Sequence, residues 1–133
     1  MAREILFKAK RKDNGEWVYG NYAFEDTKGE RHFIFQNFGF KYEVDKDTIC
    51  QYTGLTDKNG RKIFENDVVK HYYDPFSKSV YEKGIIKWDD ERCRFRQDRL
   101  SPNFAYSVEK YCVYEVIGNI FDNPELLGGE DNG

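Results

Sequence analysis

None of the 133 residues belongs to an apolar run near the length of about 18–20 that a membrane-spanning helix needs, and the opening MAREILFKAKRK has no signal-peptide core. The three Cys form no C-x-x-C pair and the two His no H-x-x-x-H pair, so structural zinc is not expected from Cys50, Cys93, Cys112, His32 and His71. An odd number of scattered thiols suits a reducing compartment, with the three acting as small buried hydrophobes and the cytoplasm as the expected location. There is no G-x-S-x-G and no Gly-rich phosphate loop. That leaves only Cys112 or Cys93 beside His71 as a conceivable nucleophile pair, and no cofactor is implied. Net charge is −3, from 21 basic and 24 acidic side chains, which argues against a general polyanion binder but leaves room for a local basic patch. No apolar 3.6 repeat of helix length occurs anywhere.

What is present is aromatic and turn-rich. Aromatic residues make up 17% of the chain, ten Tyr and eleven Phe among them, a share suited to pleated surfaces where rings pack across strands. Glu4 to Lys10 alternates, with Ile5, Phe7 and Ala9 on one face. Asp13-Asn14-Gly15 turns, and Glu16 to Tyr22 resumes the extended pattern as a β-hairpin. A second hairpin turns at Thr27-Lys28-Gly29-Glu30 into Arg31–Phe35, and Val44 to Asp47 is a connection. Strands follow at Thr48–Thr53, Lys62–Phe64 and Val68–Tyr73, separated by turns at Asp57–Gly60 and Glu65–Asp67. Asp74–Ser79 is a loop, since Pro75 cannot donate to a ladder. Val80–Trp88 is a long strand whose Gly84 suggests a bulge. Arg92–Arg96 alternates, and Tyr111–Ile120 is the last strand. Asn123-Pro124-Glu125 has helix-start chemistry for one turn through Leu127. Short strands between Gly/Asn/Asp turns mean an all-β fold, with about five strands from Cys50 to Ile120 forming a small barrel beside the N-terminal hairpins.

The opening REILFKAKRKDNGEWVYGNY, the block QYTGLTDKNGRKIFENDVVK, the strand GIIKW and the ending YEVIGNIFDNPELL resemble the YopX family of phage and prophage proteins, in that family's order and spacing. Asn66 stands where the family usually has Gly, and Cys50 where a Gly is common. Asn tolerates a left-handed backbone nearly as well as Gly, so the turn at Asn66 is expected to survive. The resemblance implies an SH3-type barrel in the C-terminal half and self-association into multimers; it carries over no catalytic residues. The expected organisation is a single domain over residues 1–127, made of a hairpin layer (1–47), the barrel (48–121) and a short helical turn (122–127), with a disordered tail at 128–133.

Two surfaces stand out as candidate sites. Tyr72, Tyr73, Phe76 and Tyr81, with His71 and the Phe33/Phe35/Phe38/Phe40 group, supply more rings than a core this size is expected to need, and surplus ring surface marks a partner interface. Arg92, Arg94 and Arg96 fall on one strand face about 6–7 Å apart, with Arg99 close behind, a spacing able to track a phosphate backbone with Tyr rings as stacking platforms. Lys8, Lys10, Arg11 and Lys12 make a second basic run. The competing reading of the Arg face is a solvated sheet whose guanidiniums pair with carboxylates. Asp89-Asp90-Glu91 with Glu65 and Asp67 could bind a divalent cation, but Asp at strand ends more often caps turns. The expectation is a phage-encoded, non-enzymatic β protein. It binds itself or another protein and no membrane, with nucleic acid on the Arg face as the alternative. An enzyme site assembled between two chains would leave no motif in one.

Overall fold

Asn14-Gly15 and Lys28-Gly29 each join two antiparallel strands in the computed structural model, which describes residues 4–72, 81–99, 105–107 and 113–127. The predicted loop at 74–79, Val80, Tyr73, Phe76, Cys112 and the tail at 128–133 lie outside these residues. The chain divides into two compact units, Met1–Gly54 and Leu55–Gly133. The break falls inside a strand, whereas the sequence reading changes layer at residue 47.

In the first unit β1 (Phe7–Lys10) and β2 (Trp17–Glu25) pair from Lys10↔Trp17 to Phe7↔Gly20. The turn between them has Gly15 at φ 73°, with the Asn14 side chain accepting the Glu16 N–H at 2.9 Å. β3 (Arg31–Phe35) joins β2, β4 (Lys41–Glu43) joins β3, and β5 (Cys50–Thr56) joins the other edge of β1, giving the order β4-β3-β2-β1-β5. Alternation puts Ala9, Val18, Ile34 and Val44 on the buried side with Phe7, Tyr42 and Ile49 packed round them. Full burial of a side chain such as Ile34 or Val44 contributes about 1.5–3 kcal/mol, and the single methyl of Ala9 less. At Gly20 an added Cβ would overlap the Phe35 carbonyl oxygen, so only glycine fits where β2 passes the end of β3.

β5 runs on into the second unit and forms a hairpin with β6 (Lys62–Phe64). Next come β7 (Asp67–Tyr72), β8 (Tyr81–Asp89), β9 (Arg94–Arg99), β10 (Ala105–Ser107) and β11 (Val113–Asn119), in the antiparallel order β10-β9-β8-β7-β11. Ile63, Val69, Ile86 and Tyr114 are its buried core, with Leu55, Phe95 and Val116 against them. Pro124–Leu127 forms the expected single helical turn, in 3₁₀ geometry. The Asn123 amide does not cap that turn; its oxygen accepts the Asn119 N–H at 3.2 Å instead. The mainly-β class is as the sequence implies, and this sheet is compatible with a small barrel.

The block from Gln51 to Lys70 is held by three polar side chains. The buried Asp57 carboxylate accepts N–H groups from Asn59 (2.8 Å), Arg61 (2.9 Å) and Val116 (2.9 Å). Asp67, also buried, accepts the Phe64 N–H at 2.8 Å. Asn66 sits at φ 72°, its N–H donating to Ile86 O at 2.7 Å and its side-chain oxygen accepting Lys87 Nζ at 2.9 Å.

Two local expectations are corrected. Gly84 makes no bulge: its register with Val69 and Arg99 is unbroken, and it is required because a Cβ there would overlap the Gln97 side chain. The bulge lies in β11, between Val116 and Gly118. Arg92 and Cys93 are not strand residues either. They close the β8–β9 turn, with Cys93 at φ 52°, and β9 starts at Arg94.

Candidate interaction surface

β2 presents its rings on both faces. On one, Phe7, Tyr22, His32 and Phe24 form a continuous row, with ring centroids 5.9 Å apart for Phe7–Tyr22, 5.8 Å for the stacked Tyr22–His32 pair and 5.2 Å for Phe24–His32. The register explains the row, since Phe24 faces His32 across the β2–β3 ladder and Tyr22 is the next residue on that face. A relay of hydrogen bonds fixes it. The Tyr22 hydroxyl lies 2.7 Å from His32 Nδ1 and His32 Nε2 lies 2.9 Å from Glu30 Oε2. With Nε2 protonated and donating to the carboxylate, Nδ1 accepts the hydroxyl. The His32 hydrogen bond and then Lys46, 3.3 Å away, hold the Glu30 carboxyl below its ordinary pKa. Phe24 (51% exposed) and Tyr22 (37%) keep much of their ring surface in solvent even so.

On the opposite face rings and cations alternate. Lys8 Nζ lies 4.5 Å from the Trp17 ring centre, and Arg31 and Lys41 lie 4.9 and 4.6 Å from that of Phe33. At one end of this face a cleft of about 640 Å³ opens, lined among others by Glu4, Tyr19, Asn21, Phe35, Gln36 and Phe40. The Gln36 amide donates to Tyr19 O at 3.1 Å and so ties the β3 end to β2. Tyr19 (47%) and Phe40 (60%) are the most exposed rings around it.

Of the ring set expected to be exposed, Phe40 is exposed, and the other members whose side chains are described are buried or half-buried. Tyr72 is only 7% exposed; its hydroxyl donates to Glu115 at 2.8 Å and Lys58 Nζ lies 4.7 Å from its ring centre. That hydrogen bond, then burial, raises the Tyr72 pKa. Tyr81 is half-buried, 5.7 Å from Tyr72 and under Lys70. Phe33 is buried under Arg31 and Lys41, and the Phe38 side chain lies outside the described residues. The sequence reading missed Tyr19, Tyr22 and Phe24, although period-two alternation along β2 sets Tyr19 on one face and Tyr22 and Phe24 on the other.

The Arg face breaks up. Arg92 binds Asp89 at 3.2 Å from its turn, and Arg96 binds Asp98 at 2.7 Å with Asp89 at 4.0 Å. Arg94 is exposed and has no acidic partner among the described residues, while the Arg99 side chain lies outside them. The N-terminal basic run is dispersed too: Lys8 and Lys10 lie over Trp17, Arg11 pairs with Asp13, and Lys12 pairs with Glu43. Asp89 accepts the N–H groups of Glu91 and Arg92, which is turn capping. Cys93 and His71 belong to opposite ends of β8, since His71 pairs with Glu82 and Cys93 follows Asp89; the fold does not bring them together. His71 lies 3.9 Å from Glu82 and 4.9 Å ring to ring from Tyr114, inside the second unit's sheet. No group of three or more His, Cys, Asp or Glu among the described residues is placed to hold a metal ion, and no helix is long and apolar enough to cross a membrane.

The family model described as YopX protein matches residues 6–128. The chain belongs to the YopX family. Among solved structures this YopX chain is similar to that of protein EF1440 from Enterococcus faecalis, with 29% identity and a TM-score of 0.57 over 95% of this chain and 99% of that one. No curated protein matches it. The two departures from the YopX pattern now have local accounts. Asn66 takes the left-handed backbone that a Gly would take, and adds the bond to Lys87 that a Gly could not. Cys50 is buried, its thiol 3.2 Å from Thr48 O.

Proposed function

We propose that this YopX-family chain is a phage- or prophage-encoded, non-enzymatic module of the host cytoplasm that binds protein, first of all further copies of itself. We read its second unit as the small SH3-type barrel. The observation that carries the reading is the Phe7–Tyr22–His32–Phe24 row, in which the Glu30 relay holds the Tyr22 and His32 rings, Phe7 and Phe24 pack against them, and Tyr22 and Phe24 remain exposed. Rigid aromatic surface in solvent supports a contact, because it is ordered before binding and loses little entropy on docking. The alternative, nucleic acid on Arg92, Arg94, Arg96 and Arg99, draws less support, since Arg92 and Arg96 already pair with Asp89 and Asp98. Light scattering at tens of micromolar tests the proposal. The wild type is expected at a multiple of the chain mass and Phe24→Glu at a lower multiple; a monomeric wild type removes the self-association.

A further inference from the structure

One of the chain's two histidines stands inside the ring row. The His32 imidazole is 15% exposed there, stacked on Tyr22 and tilted against Phe24. In the neutral ring both nitrogens are committed: Nε2–H donates to Glu30 Oε2 at 2.9 Å, and Nδ1 accepts the Tyr22 hydroxyl at 2.7 Å. A further proton has only the Nδ1 lone pair to occupy. Nδ1 then becomes a donor, so the Tyr22 oxygen must accept and its own O–H turns away from the ring.

The groups around the imidazole decide what that proton costs. β2 brings the Tyr22 hydroxyl and the uncharged Phe24, and the turn before β3 brings Glu30. Lys46, from the short turn Lys46–Thr48, reaches the same Glu30 oxygen at 3.3 Å, and Val44 after β4 adds only its N–H, donated to the His32 carbonyl. The hydrogen bond from His32, and then Lys46, keep the Glu30 carboxyl below its ordinary pKa, so it is ionised throughout the neutral and mildly acid range. Glu30 and Lys46 therefore cancel, and protonation of His32 leaves the group with one uncompensated positive charge. On a free protomer, water solvates that charge and accepts the reoriented O–H. Against a second copy, the charge is drawn into ring surface and the O–H loses its acceptor, and both changes cost free energy that the free protomer does not bear.

We propose that His32 is a proton-sensitive switch on self-association: the contact made by the ring row holds with the imidazole neutral and weakens when acid protonates it. This rests on the self-association reading and adds its regulation.

The test measures the dissociation constant of the full-length multimer by light scattering across a dilution series at about pH 8 and about pH 5.5, the range in which imidazoles change charge, with far-UV circular dichroism to show the chain folded at both. The wild type is expected to weaken by up to about tenfold per pH unit for each proton taken up. In His32→Gln, whatever its strength at pH 8, the ratio of the two constants should fall close to one. The same ratio in His32→Gln as in the wild type overturns the proposal. Dilution calorimetry of the wild type near pH 6.5, in two buffers of different ionisation enthalpy, decides the matter if that variant fails to fold or assemble: proton uptake on dissociation is expected, and none overturns the proposal. A wild type that is multimeric but indifferent to pH overturns this proposal alone, whereas a monomer at pH 8 overturns the self-association together with it.

Discussion

Three backbone N–H groups converge on the Asp57 carboxylate, two from its own turn and one from Val116, 59 residues along the chain. The turn at Asp57–Gly60 was legible, because Asp and Asn-Gly are turn residues for local reasons. The bond to Val116 was not, since nothing local in either stretch records a partner that distant. Asp57→Ala leaves three donors without their charged acceptor and is expected to lower unfolding free energy by about 3 kcal/mol, with Asp57→Asn costing less, as read by urea denaturation. Gln97 makes the opposite case. It is fully buried, and neither amide atom has a hydrogen-bond partner among the described residues. Gln97→Met, similar in shape and apolar, is expected to stabilise the chain by about 1–2 kcal/mol. A loss of stability would show that the amide is satisfied in solution. Gly84 lies beneath that side chain, so Gly84→Ala should destabilise by about 1–3 kcal/mol. The cost should shrink when combined with Gln97→Ala, a non-additivity that a double-mutant cycle measures.

Among the elements, the β8–β9 connection departs most from its sequence pattern. Arg92, Cys93, Arg94, Phe95 and Arg96 alternate in charge and apolarity, which is the strand signature, yet the first two residues are taken by the turn. Asp89 decides this by drawing the Glu91 and Arg92 N–H groups and the Arg92 guanidinium onto one carboxylate. Burial opposes ionisation of Asp89, but those hydrogen bonds outweigh it and hold its pKa below the ordinary carboxylate value. A depressed folded-state pKa contributes stability that is present above the unfolded value, near 3.9, and is lost as pH falls through the folded value. The thermal midpoint should therefore drop as pH is taken below about 4. Asp89→Asn should flatten part of that acid limb, with the fluorescence of neighbouring Trp88 as the local readout. An unchanged acid limb in Asp89→Asn would remove Asp89 from the account. The turns joining β1 to β2 and β2 to β3, by contrast, were legible, because Asn-Gly and Lys-Gly turns and period-two alternation are local signals, whereas β4 and its pairing with β3 were not read.

For the molecule as a whole, composition correctly gave a mainly-β chain, and the quoted motifs led to the family. The position of exposed ring surface was harder to read. Whether a Tyr on a strand faces solvent depends on which face the sheet buries: Tyr72 went to Glu115, and Tyr22 and Phe24 were left in water. The near balance of 21 basic and 24 acidic side chains became a set of local pairs, which is why the Arg92–Arg96 stretch is no continuous basic ridge. Self-association through the β2 ring row is the central claim, and hydroxyl-radical footprinting across a dilution series tests it most directly. Oxidation of Tyr22 and Phe24 should fall as the multimer forms, while Trp88, exposed in the second unit, stays constant. Equal oxidation of Tyr22 and Phe24 at every concentration, with the multimer present, would contradict it.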